Sequence, residues 1–248
     1  MLIGSRDLPV PQRALAVGAH PDDVEFGAGA TLARWADAGC EVSLLICTDG
    51  SKGTWDPEAD LVDLVATRQA EQRDAAEALG ARREVTFLAR VDGELTADRD
   101  TTSEIARWIR VLRPDVLLGH DPWRRHRLHP DHRAAGFLTV DALVAARDPH
   151  FFAEHGVDHH RPGTLLLFEA DDANHAERAG PAHVAAKIAA LEAHRSQFES
   201  TMLVSVSEVE PGAELARFRR RIHDEVATAG RGVGAAAAEL FARLPTDR

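Results

Sequence analysis

The sequence predicts an α/β fold: a Rossmann-like, mostly parallel sheet with helices on both faces. Three observations predict it. Strand-like and helix-like segments alternate from residue 14 onward. The strand-like segments are short and almost wholly apolar, as in strands buried on both faces. Glycine or proline closes most of the helical segments between them. Alternation of this kind builds a parallel sheet with right-handed crossovers.

Residues 14–19 (ALAVGA) form the first strand. A helix follows over residues 27–38, with Leu32 and Trp35 at helical spacing and Gly39 placed to end it. Residues 42–47 (VSLLIC) are the second strand, and Thr48, Asp49 and Gly50 open a loop to residue 60. A long helix covers residues 61–79, stopped by Gly80, and residues 85–88 give a third strand. Ile105, Ile109 and Leu112 mark one face of the next helix, which Pro114 ends. Residues 116–119 (VLLG) are a fourth strand, and a helix runs from about Pro130 to about Arg147. Residues 165–168 add a strand, and residues 184–198 a helix with Ile188 and Leu191 facing inward. The last 40 or so residues read as amphipathic helix, the arginines at 217–221 and the alanines at 235–238 included.

The 248 residues contain no repeat and no linker that would split them. One domain is expected over residues 1–248, with an N-terminal extension (1–13), a polar loop or lid (149–163) and a C-terminal helical segment (200–248). A hydrophobic content of 44% supplies a sizeable core. Acidic residues outnumber basic ones 40 to 29, for a net charge of −11. That field repels phosphate backbones and anionic lipid, which argues against nucleic-acid and membrane-surface roles. No apolar run reaches the roughly 18 residues of a membrane helix, and residues 1–12 carry no secretion signal. Two cysteines, Cys40 and Cys47, cannot frame a disulfide scaffold and suit a reducing cytoplasm. Histidine is abundant, with 13 copies, whereas tyrosine is absent.

Ligands of open parallel sheets sit beyond the carboxyl ends of the strands. The first strand ends in His20-Pro21-Asp22-Asp23; the loop after the fourth, which begins His120-Asp121-Pro122-Trp123, leads to His129-Pro130-Asp131-His132. In the first element proline sets a tight turn, so that His20 and Asp23 can reach one ion while Asp22 stays free. In the second, Pro130 suits the first helical position and Asp131 the first turn, where the helix dipole favours a carboxylate. His129 and His132 lie one turn apart, so one can bind metal while the other faces substrate. Two histidines, a carboxylate and open positions make a catalytic rather than a structural zinc site, and the same donors suit iron(II), cobalt or manganese. A lone His-Pro-Asp turn is more often a helix entry than a ligand; two of them, each following a buried strand, reverse that reading. His120 competes for ligation but ranks as a supporting group. His159 and His160 read as solvated loop, and Arg219 to Arg221 as a solvated helix face. Trp35 and Trp108 are assigned to packing. Trp55 and Trp123 lie in loops at the same sheet edge, as sugar platforms or as caps on the core.

With these residues the chain resembles the PIG-L/LmbE-type zinc-dependent N-deacetylases, which remove acetyl from small molecules containing N-acetylglucosamine. The resemblance spans about residues 14–197. It rests on AHPDD (19–23), TDGSKG (48–53), Arg68 with Glu71, HPDH (129–132) and AHRSQ (193–197). It implies His20, Asp23 and His132 as metal ligands and Asp22 as general base. It further implies His129 as the histidine assisting the transition state, Asp131 as the carboxylate orienting it, and Arg68 as an arginine holding sugar hydroxyls, although Arg68 and Glu71 could equally form a surface ion pair. The chemistry to expect is attack of metal-activated water on the amide, with Asp22 taking its proton and a protonated His129 meeting the oxyanion. Ser51 stands where many relatives carry a glutamate that touches the substrate. A tyrosine found before the second motif in some relatives has no counterpart; His126 or an arginine of residues 124–127 could substitute. Ser51, Trp55, Trp123 and Arg68 are therefore the substrate-binding candidates. The expected partner is a small amino sugar, and the sequence leaves a homo-oligomer open. Competing readings are an amidase for a larger sugar–thiol conjugate, a nucleotide-dependent oxidoreductase, and a non-catalytic binding module. Leu32 disfavours the oxidoreductase, because the dinucleotide fingerprint needs a small residue there.

Overall fold

The apolar run at residues 14–19 becomes the middle of the sheet. In the computed structural model, which describes residues 5–205 and 211–246, the chain runs β1 (Ser5–Arg6), β2 (Arg13–Gly18), α1 (Asp23–Asp37), β3 (Glu41–Thr48), α2 (Leu61–Ala78), β4 (Thr86–Arg90) and α3 (Arg99–Leu112). It continues through β5 (Val116–His120), α4 (Pro130–Arg147), β6 (Thr164–Phe168), β7 (His175–Ala179), α5 (Pro181–Ala193), α6 (Pro211–Arg231) and β8 (Ala237–Pro245). Residues 1–4 of the expected N-terminal extension, and 206–210 and 247–248 of the expected C-terminal segment, lie outside the described residues. The eight strands stand in the order β1-β7-β8-β6-β5-β2-β3-β4. All neighbours are parallel except β8, which runs antiparallel to both β6 and β7.

Both faces of the sheet are covered, and the strands are near-continuously apolar for that reason. Ala14, Ala16, Leu44 and Ile46 pack with Leu32, Trp35 and Ala75 of α1 and α2. The alternate residues Leu15, Val17 and Leu45 pack with Ile105, Ile109 and Leu138 of α3 and α4. Strand β2 pairs with β3 on one side and β5 on the other. The chain therefore changes direction across the sheet between β2 and β5, and a crevice opens at their carboxyl ends. Both His-Pro-Asp elements arrive there.

Several expectations need correction. The C-terminal segment is not helical throughout: α6 ends at Arg231, and Ala237 and Ala238 of the alanine block open β8. Helix propensity is overridden by pairing on both edges of β8, which buries Ala238 and Phe241 completely. Gly230 permits this return, since a Cβ there would stand 2.7 Å from the Ala237 backbone. Strand β7 (HAERA) escapes a search for apolar runs because its buried Glu177 is paired with Arg34 and accepts the Leu8 amide. Helix α1 starts at Asp23, not at residue 27. Helix α5 ends at Ala193, and a 3-10 turn over Arg195–Gln197 completes the segment expected as one helix. Of the two alternatives for residues 149–163, loop or lid, the segment is a loop with a 3-10 turn over Ala153–His155. Its backbone and His160 bond to Ala146 and Pro114, and Gly163 to Asp115, which puts the segment at the amino edge of the sheet, opposite the crevice. Among the described residues no helix is long and apolar enough to cross a membrane.

Candidate active site

The turn after β2 is held in an unusual conformation. Asp22 sits at φ 104°, in the left-handed region, as the residue preceding α1. For a non-glycine residue that costs of order 1–3 kcal/mol and persists only where surroundings enforce it. Here Gln72 Oε1 accepts the Asp22 amide at 3.1 Å, and Arg68 Nη2 donates to the Pro21 carbonyl at 2.7 Å. The turn separates its two carboxylates. Asp23 folds back to accept the His20 amide at 2.7 Å, whereas Asp22 lies 3.6 Å from the Arg68 guanidinium. Burial pushes the Asp22 carboxyl up to about 6, against the pull of Arg68.

The second element opens α4. His129 caps the helix: its Nδ1 accepts the Asp131 amide at 3.3 Å. That leaves Nε2 as the N–H that faces outward from the cap. Burial, and then the charges of His20 and His132, lower the His129 pKa. The Asp131 carboxylate is turned to His20 rather than to His129. It lies 3.1 Å from His20 Nε2 and accepts the Gly93 and Leu95 amides at 2.6 and 3.2 Å.

Asp23 is the hub of the cluster. Its Oδ2 lies 3.3 Å from His20 Nδ1 and its Oδ1 3.2 Å from His132 Nε2, and the His20 and His132 ring centroids are 5.1 Å apart. The three residues read as metal ligands are therefore neighbours, but among the described residues no one group of donor atoms within 4.8 Å of one another contains all three. Burial disfavours the Asp23 charge, but His132 and His120 outweigh it and hold the carboxyl well below the usual range. Burial likewise opposes a charged His20, and the Asp131, Asp23 and Asp92 carboxylates prevail, raising its pKa well above normal. Among the described residues, three overlapping groups bring donor atoms within 4.8 Å of one another: His20 with His129 and His132, Asp23 with His120 and His132, and His20 with Asp92 and Asp131. This donor set fits a divalent cation. Buried carboxylate and imidazole atoms converge, and His120 Nε2 is buried without a hydrogen-bond partner although an Asp23 oxygen stands 3.2 Å away.

Two carboxylates join the site that were not singled out from the sequence. Asp92 Oδ1 lies 3.1 Å from His20 Nε2. Glu169 Oε2 lies 3.1 Å from His120 Nδ1, and burial of Glu169 is overridden by His120 and Arg127, which hold its carboxyl at about 2. Each follows the carboxyl end of a strand, β4 or β6, so the strand-end rule applied to every strand would have found both.

A cavity of about 610 Å³ opens over the cluster; His20, Asp22, His129, Arg68, Gln197 and Arg221 are among its walls. The Arg68 of the substrate-binding candidates reaches it, though the guanidinium also bonds to the Gly50 and Pro21 carbonyls. Arg68 forms no ion pair with Glu71, whose carboxylate instead accepts the Ser196 amide and hydroxyl. Ser51, Trp55 and Trp123 are not among its walls. Ser51 is buried in its loop, and the two indoles are 65% and 56% exposed. His126 is exposed outside the cavity as well. Trp35 is wholly buried and Trp108 packs against the core, as expected. Arg219 pairs with Glu192 on the surface.

Imidazoles and carboxylates gathered at the switch point of a Rossmann-like sheet, beneath a cavity of small-molecule size, make a hydrolytic centre of the metal-dependent class. The signature of the PIG-L family, GlcNAc-PI de-N-acetylase, matches residues 15–143. Diacetylchitobiose deacetylase of Thermococcus kodakarensis is 34% identical over 190 residues, which cover 75% of this chain and 70% of that one. The 1D-myo-inositol 2-acetamido-2-deoxy-alpha-D-glucopyranoside deacetylase of Kineococcus radiotolerans is 35% identical over 170 residues, which cover 56% of this chain and 46% of that one. The solved structure of N,N'-diacetylchitobiose deacetylase from Pyrococcus horikoshii superposes with a TM-score of 0.84 at 26% identity, over 95% of this chain and 85% of that one. The chain belongs to the PIG-L family. It is an N-deacetylase, a hydrolase of an amide bond, in a family whose members depend on a metal.

Proposed function

We propose that the protein removes the N-acetyl group from a small molecule containing N-acetylglucosamine, with zinc held by His20, Asp23 and His132 and with Asp22 as general base. The observation that carries this reading is the division of labour within one turn: Asp23 faces the imidazoles, while Asp22 is turned away from them into the cavity wall beside Arg68. Zinc, when bound, lowers the pKa of water and polarises a carbonyl. Asp22 takes the proton from the attacking water and holds it for the departing amine, a task suited to a carboxyl raised to about 6. His129 meets the oxyanion with the N–H left by its cap bond. Asp131 and Asp92 face His20 Nε2 and orient that ring. Arg68 braces the turn rather than simply presenting donors to sugar hydroxyls. The substrate class is supported by the activities for which the relatives are named and by a cavity whose volume matches ordinary small-molecule sites. A cytoplasmic setting is supported by two free, buried cysteines.

Acetate release from N-acetylglucosamine, diacetylchitobiose and N-acetylglucosaminyl-inositol tests the reading. Chelation should abolish release and zinc restore it. Asp22→Asn should lower turnover by about a thousandfold with zinc still bound, since general base catalysis contributes roughly 10²–10⁴. Full turnover in that variant, or in chelated protein, sinks the proposal.

A further inference from the structure

His120, whose ring nitrogen counts among the converging donor atoms, and Glu169 take no part in the reaction proposed above, yet both are built into the site. His120 is the last residue of β5 and pairs in register with Phe168, so Glu169 emerges beside it at the carboxyl edge of the sheet. The imidazole spans two carboxylates: Nδ1 lies 3.1 Å from Glu169 Oε2 and Nε2 3.2 Å from Asp23 Oδ2. Its plane is set by packing, stacked on His132 at 4.5 Å and edge-on to Phe168 at 4.6 Å. Glu169 is itself held at φ 58°, a left-handed backbone that a glutamate rarely adopts. Arg127 Nη1 donates to its Oε2 at 2.7 Å. With Oδ2 of Asp23 engaged by the His20 amide and faced by His120, Oδ1 is left turned toward His132.

We infer that Glu169 and His120 form a positioning pair that aims the Asp23 carboxylate and so sets how tightly the site holds its metal. The inference rests on the metal reading of the preceding section. Residues that orient a ligating side chain typically change metal affinity 10- to 100-fold when removed. A carboxylate acting through an imidazole on a second carboxylate extends that logic by one link.

The test is zinc affinity, measured on the full chain by competition with a chromogenic chelator, together with the urea midpoint of the metal-free protein. His120→Ala and Glu169→Ala should bind zinc 10- to 100-fold more weakly, and Glu169→Gln, which keeps an oxygen facing Nδ1, should lie between them and the parent. In free energy, metal-free urea stability should fall by less than zinc binding does, although His120 and Arg127 are buried. Should either alanine variant fail to fold, His120→Gln and Glu169→Gln carry the comparison. Parent-like zinc affinity in folded variants overturns the inference and leaves the metal reading standing. An affinity loss matched by an equal loss of metal-free stability overturns it too, as a merely structural role. A parent chain that binds no zinc overturns both.

Discussion

The Arg68 guanidinium ties two motifs together: it donates to the Pro21 carbonyl at 2.7 Å and to the Gly50 carbonyl at 2.8 Å while lying 3.6 Å from the Asp22 carboxylate. Lysine has no planar fork and cannot hold both carbonyls while facing Asp22. Arg68→Lys is expected to lower kcat/KM by about a hundredfold, the scale of a 1 Å misplacement of a reacting group. Zinc content should stay at the parent level. Steady-state kinetics beside a metal assay checks both; loss of zinc together with rate would assign Arg68 to the metal rather than to Asp22.

Gly53 is where the loop after β3 touches this arginine. A Cβ there would overlap Arg68 Nη1 and come within 2.8 Å of Gln197 Oε1. Both neighbours are buried, so Gly53→Ala should displace them, at a cost of about 1–3 kcal/mol in urea unfolding and at least tenfold in kcat/KM. Unchanged kinetics would show that the cavity wall can give way.

Lys187 of α5 and Glu239 of β8 form a buried pair at 2.6 Å, and Glu239 also accepts the Ala30 and Thr31 amides. Glu239→Leu leaves an uncompensated buried ammonium and should cost about 3–5 kcal/mol. Lys187→Met combined with Glu239→Leu should be less damaging than Glu239→Leu alone, because no charge is left uncompensated, although the Ala30 and Thr31 amides still lose their acceptor. Urea denaturation of the two singles and the double closes the cycle.

Asp98 caps α3, accepting the Thr101 amide at 2.8 Å. Asp98→Ala should lower stability by about 1 kcal/mol and leave acetate release unchanged. The Thr101 amide bond holds the Asp98 carboxyl below its usual value. Its contribution is therefore fully present above the unfolded-state value of about 3.9 and is lost as pH falls through the folded one. The gap between parent and variant in thermal stability should narrow as the pH falls below the unfolded-state value; a gap independent of pH would contradict the cap.

Cys40 and Cys47 should resist alkylation in the native state. Burial, aided by Asp115, pushes the Cys40 thiol up to about 12, and burial raises that of Cys47. Iodoacetamide at pH 8 should label neither thiol until urea unfolds the chain, as mass spectrometry would show.

The parallel sheet, most helix positions and both His-Pro-Asp turns were legible along the chain, because each depends on neighbours a few positions apart. Leu15 and Val17 announce a two-sided strand, and Pro130 with Asp131 a helix start, whatever surrounds them. The buried ion pair on β7 and the alanine-rich strand β8 were not legible, since Glu177 needs Arg34 and Ala238 needs two strand partners distant in sequence.

The site divides in the same way. Residue order alone named His20, Asp22, Asp23, His129 and His132, since a turn of fixed geometry sets their relative directions. It could not say that Asp131 faces His20 instead of His129, or that Trp55 and Trp123 stay outside the cavity. Those outcomes depend on which strand ends lie side by side, and strand order follows from packing the whole sheet between two helical layers, not from any local stretch of the chain.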